Sequence, residues 1–438
     1  MRKINFLLKI LPLVALPALT HAENLLDIYQ LAADSDPTLR AAEAGHSASL
    51  EIKPQSRALL FPSIDLSANK TANRQDIKLS TNSPGVVNFE SSGYSINLVQ
   101  PVFNFGIYAG LRQADARIGQ ADAEYASAQQ DIIVRVAQRY FDVLAAQDNL
   151  EFVRSEKTSI QRQLEQSRAR FEVGLIPITD INEAQARFDL TVSQEIAADN
   201  QLAASREMLR EITGRFHESL ASVRKQIPLP APEPADVEQW TDTALKQNLQ
   251  ITAAQFAAQV AREEIGVRRA ASYPTLDIVG SYSLAESGGG RFGGSEVQGS
   301  SIGLQLNAPL FRGGLNGSRT REAEFLHNQA SEVLEQQQRT VSRQTRVSYL
   351  TVLAHISRVK ALEQAVVSNQ AALEASQAGL EVGTRTPVDV LDAQRALFSA
   401  KSDYARARYD YIVESLRLKQ AAGTLSPADL QQINTWLE

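Results

Sequence analysis

Asp389 and Asp392 stand three residues apart, as do Asp180 and Glu183. Carboxylates at that spacing share one face of a helix. There they can support a helix N-terminus as part of a capping box, or gather cations as a charged face. For Asp389 and Asp392 the spacing leaves both readings open, and the matching pair Asp180 and Glu183 adds weight to capping. A third chemistry, general acid–base work by Asp180 and Asp389, needs a pocket that no segment of the sequence supplies. Arg385 lies four residues before Asp389, whereas the corresponding position near Asp180 is Ile176. The five histidines (His21, His46, His217, His327 and His355) are too scattered for a metal site. The glycine run from Gly288 to Gly294 lacks the strand–helix context of a phosphate loop. No catalytic group, cofactor or metal is expected.

The elements that position these residues occur twice. Tyr140-Phe141-Asp142-Val143-Leu144-Ala145 returns as Tyr349-Leu350-Thr351-Val352-Leu353-Ala354, and Glu172-Val173-Gly174 returns as Glu381-Val382-Gly383. Asp180 matches Asp389, and Gly214 matches Gly423, all at one offset of 209 residues. A half-chain repeat in strict register means two copies of one long structural unit.

The chain has 438 residues and no cysteine. It opens with basic residues, an apolar run from Ile10 to Leu19 and small residues at Thr20-His21-Ala22. That is a secretory signal over residues 1–22, too short to span a bilayer. An exported chain without cysteine suits the bacterial envelope and relies on packing rather than disulfides. Removing Arg2, Lys3 and Lys9 with the signal takes the formal charge from −6 to −9. So acidic a surface excludes nucleic acid as a partner. No later segment is apolar for long enough to make a membrane helix, so any membrane crossing must be a barrel.

Two helical tracts dominate, from about Ile107 to Phe171 and from about Leu315 to Leu380. Ile133, Val136, Tyr140, Val143, Gln147 and Leu150 form a heptad seam in the first; Tyr349, Val352, Ile356, Val359 and Val366 do so in the second. Each tract is roughly 100 Å long at 1.5 Å per residue. Each ends at a Val-Gly pair, turns through a proline-containing loop and restarts at Asp180 or Asp389, running to a glycine C-cap at Gly214 or Gly423. The repeated unit is a very long antiparallel helical hairpin, at about 107–214 and 315–423. A shorter helical pattern opens each repeat, from Leu25 to about Lys53 and from Val237 to about Arg269.

Between these lie segments of period-two alternation: Ser63–Asn69, Tyr94–Leu98, Leu276–Ile278 and Ser301–Asn307. Alternation marks strands, and polar-in, apolar-out is what a membrane barrel requires. Turn formers join each pair, Thr81-Asn82-Ser83-Pro84-Gly85 in one and Ser287 to Gly294 in the other. Pro62 and Pro274 enter these β-hairpins, and Pro101 and Pro309 leave them, giving hairpins at about 62–104 and 274–311. The same alternation also fits an ordinary soluble sheet. Four strands cannot close a barrel, whose practical minimum is about eight, so a membrane reading forces oligomerisation. The resulting organisation is repeat one over 23–226, a proline-rich connector over 227–235, and repeat two over 236–438 with a short C-terminal segment.

The start Glu23-Asn24-Leu25-Leu26-Asp27-Ile28-Tyr29-Gln30 resembles the TolC family of outer-membrane efflux proteins. So do Arg170-Phe171-Glu172-Val173-Gly174-Leu175 with Ile178-Thr179-Asp180, and Val382-Gly383-Thr384-Arg385-Thr386 with Val388-Asp389-Val390-Leu391-Asp392-Ala393. The resemblance spans nearly the whole mature chain. It implies a homotrimer whose four strands per chain build one twelve-stranded β-barrel, embedded in outer-membrane lipid. Long α-helices would continue it as a periplasmic tunnel that tapers shut at the hairpin turns. The chain ends at Leu437-Glu438, without the long polar tail some members carry. The resemblance further implies an exit duct for drugs or secreted polypeptides, without its own energy source. An inner-membrane RND or ABC transporter and a periplasmic adaptor (membrane fusion) protein would supply drive and opening. Asp389 and Asp392 become a lumen-facing selectivity ring. Like charges about 6 Å apart repel by about 0.7 kcal/mol in water and about 3 kcal/mol at an effective dielectric of 20. Val173, Gly174 and Leu175, with Val382, Gly383 and Thr384, become adaptor docking points. The unequal tips suggest a gate in which Arg385 ties to Thr179 or Asp180 of the neighbouring hairpin. The competing reading is a structural or adhesive coiled-coil spacer without transport.

Overall fold

The computed structural model describes residues 22–78, 85–224, 226–290 and 293–438. Residues 1–21, which hold most of the expected signal, residues 79–84 with most of the expected turn, Lys225 and Arg291-Phe292 lie outside the described residues. Each half of the chain runs short helices, a β-hairpin and then a long helical hairpin. In the first half these are α1 (Leu25–Ser35), α2 (Pro37–Leu50), α3 (Ile52–Ala58), β1 (Ser63–Ile77), β2 (Gly85–Phe103), α4 (Phe105–Glu172) and α5 (Ile178–Thr213). In the second they are α6 (Val237–Gln247), α7 (Leu249–Ala270), β3 (Thr275–Ser287), β4 (Ser295–Asn307), α8 (Leu315–Glu381) and α9 (Pro387–Ala422), followed by α10 (Pro427–Asn434). The long helices match in length, 68 against 67 residues for α4 and α8 and 36 each for α5 and α9. Gly214 and Gly423 end the return helices in the left-handed region, at φ 73° and 76°, where a Cβ is penalised and glycine is not.

The sequence-based boundaries shift in several places. The opening pattern is three helices in the first repeat, with breaks at Asp36 and Glu51, and two in the second, with a break at Asn248. Asp36 accepts the Leu39 N–H at 2.9 Å, and Asn248 accepts those of Gln250 and Ile251 at 3.0 and 3.2 Å. Such side chains start a new helix rather than continue an old one. Asp36 is buried as an ion because Arg135 of α4 binds it at 2.6 Å. Together with the Leu39 amide, that guanidinium overcomes burial and holds the Asp36 carboxyl below its ordinary range. The return helices begin at Ile178 and Pro387, two residues before Asp180 and Asp389. Pro101 does not leave its strand; β2 continues to Phe103 through a register shift, a place where a proline is tolerated in a sheet. Gln147 of the heptad seam is exposed, while Ile133, Val136, Tyr140, Val143 and Leu150 are buried.

The main core forms a waist where α1, the middle of α4 and α8, the ends of α5 and α9, and α10 converge. Phe141 stacks on Tyr409 at 5.6 Å, and the Tyr140 hydroxyl donates to the Ala221 carbonyl at 2.7 Å. The connector between repeats is strapped to this waist: Tyr411 donates to the Pro230 carbonyl at 2.9 Å and Trp240 to that of Pro234 at 2.8 Å.

The four strands make one antiparallel sheet in the order β1-β2-β3-β4. Its registers give the two faces opposite characters. Asp65 lies opposite Asn97, Asn97 opposite Ser281, and Ser281 opposite Ser301. One residue along, Ile64 lies opposite Leu98 and Leu66 opposite Ile96, while Ile278 pairs with Leu304 and Leu276 with Leu306. One face is therefore polar, with Ser67 bonded to Ser95 and Ser281 to Ser301, each at 2.8 Å. The other is apolar and uncovered; Ile302 and Leu304 are 83% and 72% exposed.

Candidate functional site: the helix-hairpin tips

The tip of the first hairpin is a left-handed glycine turn. Gly174, at φ 76°, lets its amide reach the Phe171 carbonyl at 2.8 Å and the Leu175 amide reach that of Arg170 at 2.9 Å. Gly383 at φ 78° does the same in the second hairpin, where Thr384 N–H donates to the Gly379 carbonyl at 2.8 Å. These bonds satisfy the last carbonyls of the long helices. They also hold apolar side chains outward: Val173, Leu175 and Val382 are 70%, 72% and 75% exposed.

Asp389 sits at the third position of α9, inside a capping box. It accepts the Thr386 N–H at 2.8 Å and the Thr386 hydroxyl at 2.9 Å, while Thr386 Oγ1 accepts the Asp389 N–H at 3.2 Å. The cap itself is Thr386, not Asp389, and Pro387 at the first position presets the helical φ. The Thr386 backbone and hydroxyl bonds, aided by Arg385, hold the Asp389 carboxyl below the ordinary range. Arg385 folds back over Gly379, and its Nη1 is 3.9 Å from Asp389 Oδ1. In the described chain its ionic partner is thus Asp389, on its own hairpin, rather than Thr179 or Asp180. Those two residues lie in the first turn of α5, with the Thr179 hydroxyl 3.4 Å from Asp180 Oδ1.

Asp392 has a different environment. Its Oδ1 accepts from Arg187 Nη2 of α5 at 2.7 Å, which joins the two hairpins. Arg187 was not among the residues singled out by spacing. A signal existed, because its counterpart in the second repeat is Ala396. Nearby, Ile160, Leu164, Ala184 and Leu391 close a small apolar cluster between α4, α5 and α9. Among the described residues no group of acidic or histidine side chains could hold a metal ion.

A family model described as outer membrane efflux protein matches residues 28–215 and 240–424. The chain belongs to the outer membrane efflux protein family. It is 40% identical to the outer membrane protein TolC of Vibrio cholerae, over 98% of this chain and 99% of that protein. It is 31% identical to the alkaline protease secretion protein AprF of Pseudomonas aeruginosa, over 94% of this chain and 87% of that one. Among solved structures, the Campylobacter jejuni CmeC outer membrane channel superposes with a TM-score of 0.78 at 17% identity, covering 94% of this chain and 89% of that one. The fold is accordingly that of an outer-membrane channel, and this family member is an exit duct of the outer membrane that extends into the periplasm.

Proposed function

We propose that three copies of this chain complete one barrel of twelve strands, with the polar face of the sheet lining the lumen and the apolar face against lipid. The observation that carries this reading is the two-faced, four-stranded sheet, which leaves one edge of β1 and one edge of β4 unpaired and continues directly into helices of 68 and 67 residues. Unpaired strand edges inside a bilayer are untenable, and four strands are too few to close. The assembled duct passively conducts drugs or secreted polypeptides delivered by an inner-membrane RND or ABC transporter. A periplasmic adaptor docks on the tip residues Val173, Gly174 and Leu175 and on Val382, Gly383 and Thr384, whose apolar side chains stand free in one chain. Asp389 and Asp392 form the acidic constriction at the periplasmic end. Arg385, with Thr179 and Asp180 of an adjoining hairpin, holds that end closed, and no catalytic role is proposed.

The test is conductance of the purified protein in a planar bilayer. A duct gives discrete channels whose cation preference falls in the Asp389→Ala/Asp392→Ala variant, and whose resting current rises in Arg385→Ser. A spacer without transport leaves vesicles sealed. Because the chain has no cysteine, single cysteines at Gly174 or Gly383 offer clean crosslinking sites for capturing the adaptor.

A further inference from the structure

The two carboxylates proposed for the constriction are held in unlike ways. Asp389 is bound to the first turn of its own helix through Thr386. Asp392 takes its partner from the other hairpin, Arg187 of α5, at 2.7 Å. The repeat makes this pair once only: the residue matching Arg187 is Ala396, and the residue matching Asp392 is Glu183. The Arg187 side chain is 31% exposed and that of Asp392 58%, so the pair is wetted and a bare Asp392 carboxylate would be open to passing ions. Arg187 also acts on Glu156 of α4. Burial raises the Glu156 carboxyl, and Arg395 and then Arg187 pull it back. A single guanidinium thus serves carboxylates on two other helices, where α4, α5 and α9 meet.

We propose that Arg187 is a specificity-determining residue: it cancels the charge of Asp392 while the two hairpins abut and releases it when they part. The proposal rests on the acidic-constriction reading above and adds a dependence on state. In the resting trimer three carboxylates, those of Asp389, act on ions, although six are present. When one hairpin swings away from the other, α5 leaves α9, the pair breaks, and the Asp392 carboxylates join the ring. The duct is then more cation-selective open than resting, without any new residue entering the lumen. Geometry favours this, because Arg187 and Asp392 lie on helices of different hairpins, so a rigid swing separates them. Asp389 and Thr386 share one helix and travel together.

The experiment uses the full-length protein in planar bilayers under a potassium chloride gradient. Arg187→Gln is expected to raise the resting potassium-over-chloride permeability ratio by about two-fold, as an added ring of uncompensated carboxylates should. The rise should fade near 1 M salt, where the screening length falls to about 3 Å. Adding Asp392→Asn to Arg187→Gln should remove the rise. In Arg385→Ser channels, which also lose the cation beside Asp389, the test is the second substitution: Arg187→Gln should add nothing further to the ratio. A resting ratio unchanged by Arg187→Gln, or a rise that persists with Asp392→Asn, overturns the proposal. A second measurement does not depend on conduction. Arg187→Cys/Asp392→Cys, treated with a short bifunctional thiol reagent that spans the gap left by the arginine side chain, which a direct disulfide need not reach, should give a crosslink within one chain, seen as a faster-migrating monomer. A crosslinked dimer, or no crosslink, overturns the pairing. Absence of any channel in the wild-type protein refutes the duct reading instead, and the crosslink still judges the pair.

Discussion

The Tyr409 hydroxyl donates to Asp148 Oδ2 at 2.5 Å, tying α9 to α4 across the waist. Burial raises the Asp148 carboxyl, and the Tyr409 bond and the nearby Arg408 only partly reverse this. The same burial drives the Tyr409 hydroxyl far above its ordinary range, so it stays a donor. Removing that donor leaves a half-buried carboxylate without its bond. Tyr409→Phe is expected to lower stability by about 1–2 kcal/mol, measured by thermal melting in detergent.

Asp148 also predicts a pH dependence. A carboxyl whose folded pKa lies above the unfolded value of about 4 contributes fully below that value. The contribution is lost as pH rises through the folded pKa. Asp148→Asn keeps an acceptor for Tyr409 and does not titrate. The melting temperature of the variant relative to wild type should therefore become more favourable between pH 4 and pH 7. A difference that is flat across this window would contradict the assignment.

Thr386→Ala removes one half of the capping box of α9 and should weaken its first turn by about 1 kcal/mol. Hydrogen exchange of the first-turn amides, corrected for intrinsic rates, reports this directly. Asp389 carries the opposite sign to Asp148. Its carboxyl is held low by Thr386 and Arg385, so its contribution is present above about pH 4 and disappears as pH falls through the folded value. In wild type the first turn of α9 should loosen on acidification; Thr386→Ala, which keeps the backbone N–H that lowers Asp389 most and loses only the hydroxyl bond, should show a reduced but persistent loosening.

Gly423 and Gly383 share a left-handed backbone, at φ 76° and 78°, but not a neighbourhood. A Cβ on Gly423 would collide with the Gln247 carbonyl and come within 2.9 Å of the Asn248 nitrogen, while one on Gly383 meets open space. Gly383→Ala should carry the backbone strain alone, about 1–2 kcal/mol, confined to the tip. Gly423→Ala should separate α9 from the α6–α7 junction and prevent accumulation of folded protein. Heat-resistance of the assembled form on gels distinguishes the two.

Ile302→Lys and Ser301→Lys place one charge on opposite faces of β4. If the apolar face meets lipid, Ile302→Lys should lower barrel stability by about 2–4 kcal/mol near the bilayer midplane. Ser301→Lys should be tolerated in stability and shift ion selectivity. Equal tolerance of both would contradict the assigned orientation.

How far the chain could be read in advance follows from the range of each interaction. Gly214, Gly423 and the alternating strands were legible because their signals are local. The helical pattern runs on through Asp36 and Asn248 without a sign of the breaks there. A buried aspartate cap needs Arg135, 99 residues away, to make sense. The short C-terminal segment after Gly423 forms a helix, whose start Ser426-Pro427 and Asp429 spell, and Leu430 and Ile433 belong to the core. At the tips, spacing alone left Asp389 open between capping and a charged face; the structure puts it at the third position of a capping box whose cap is Thr386. The Arg187–Asp392 contact, 205 residues apart, has no local signature beyond the missing arginine at Ala396.

The lone edges of β1 and β4 have a bearing on biogenesis. A freshly exported subunit carries two adhesive margins and an oily panel that no part of itself can hide. Maturation is thereby a problem of encounter, its yield set by how fast siblings meet compared with how fast stray strands or proteases intervene. Diluting newly made subunits should harm this molecule well before it harms a porin that seals its own wall.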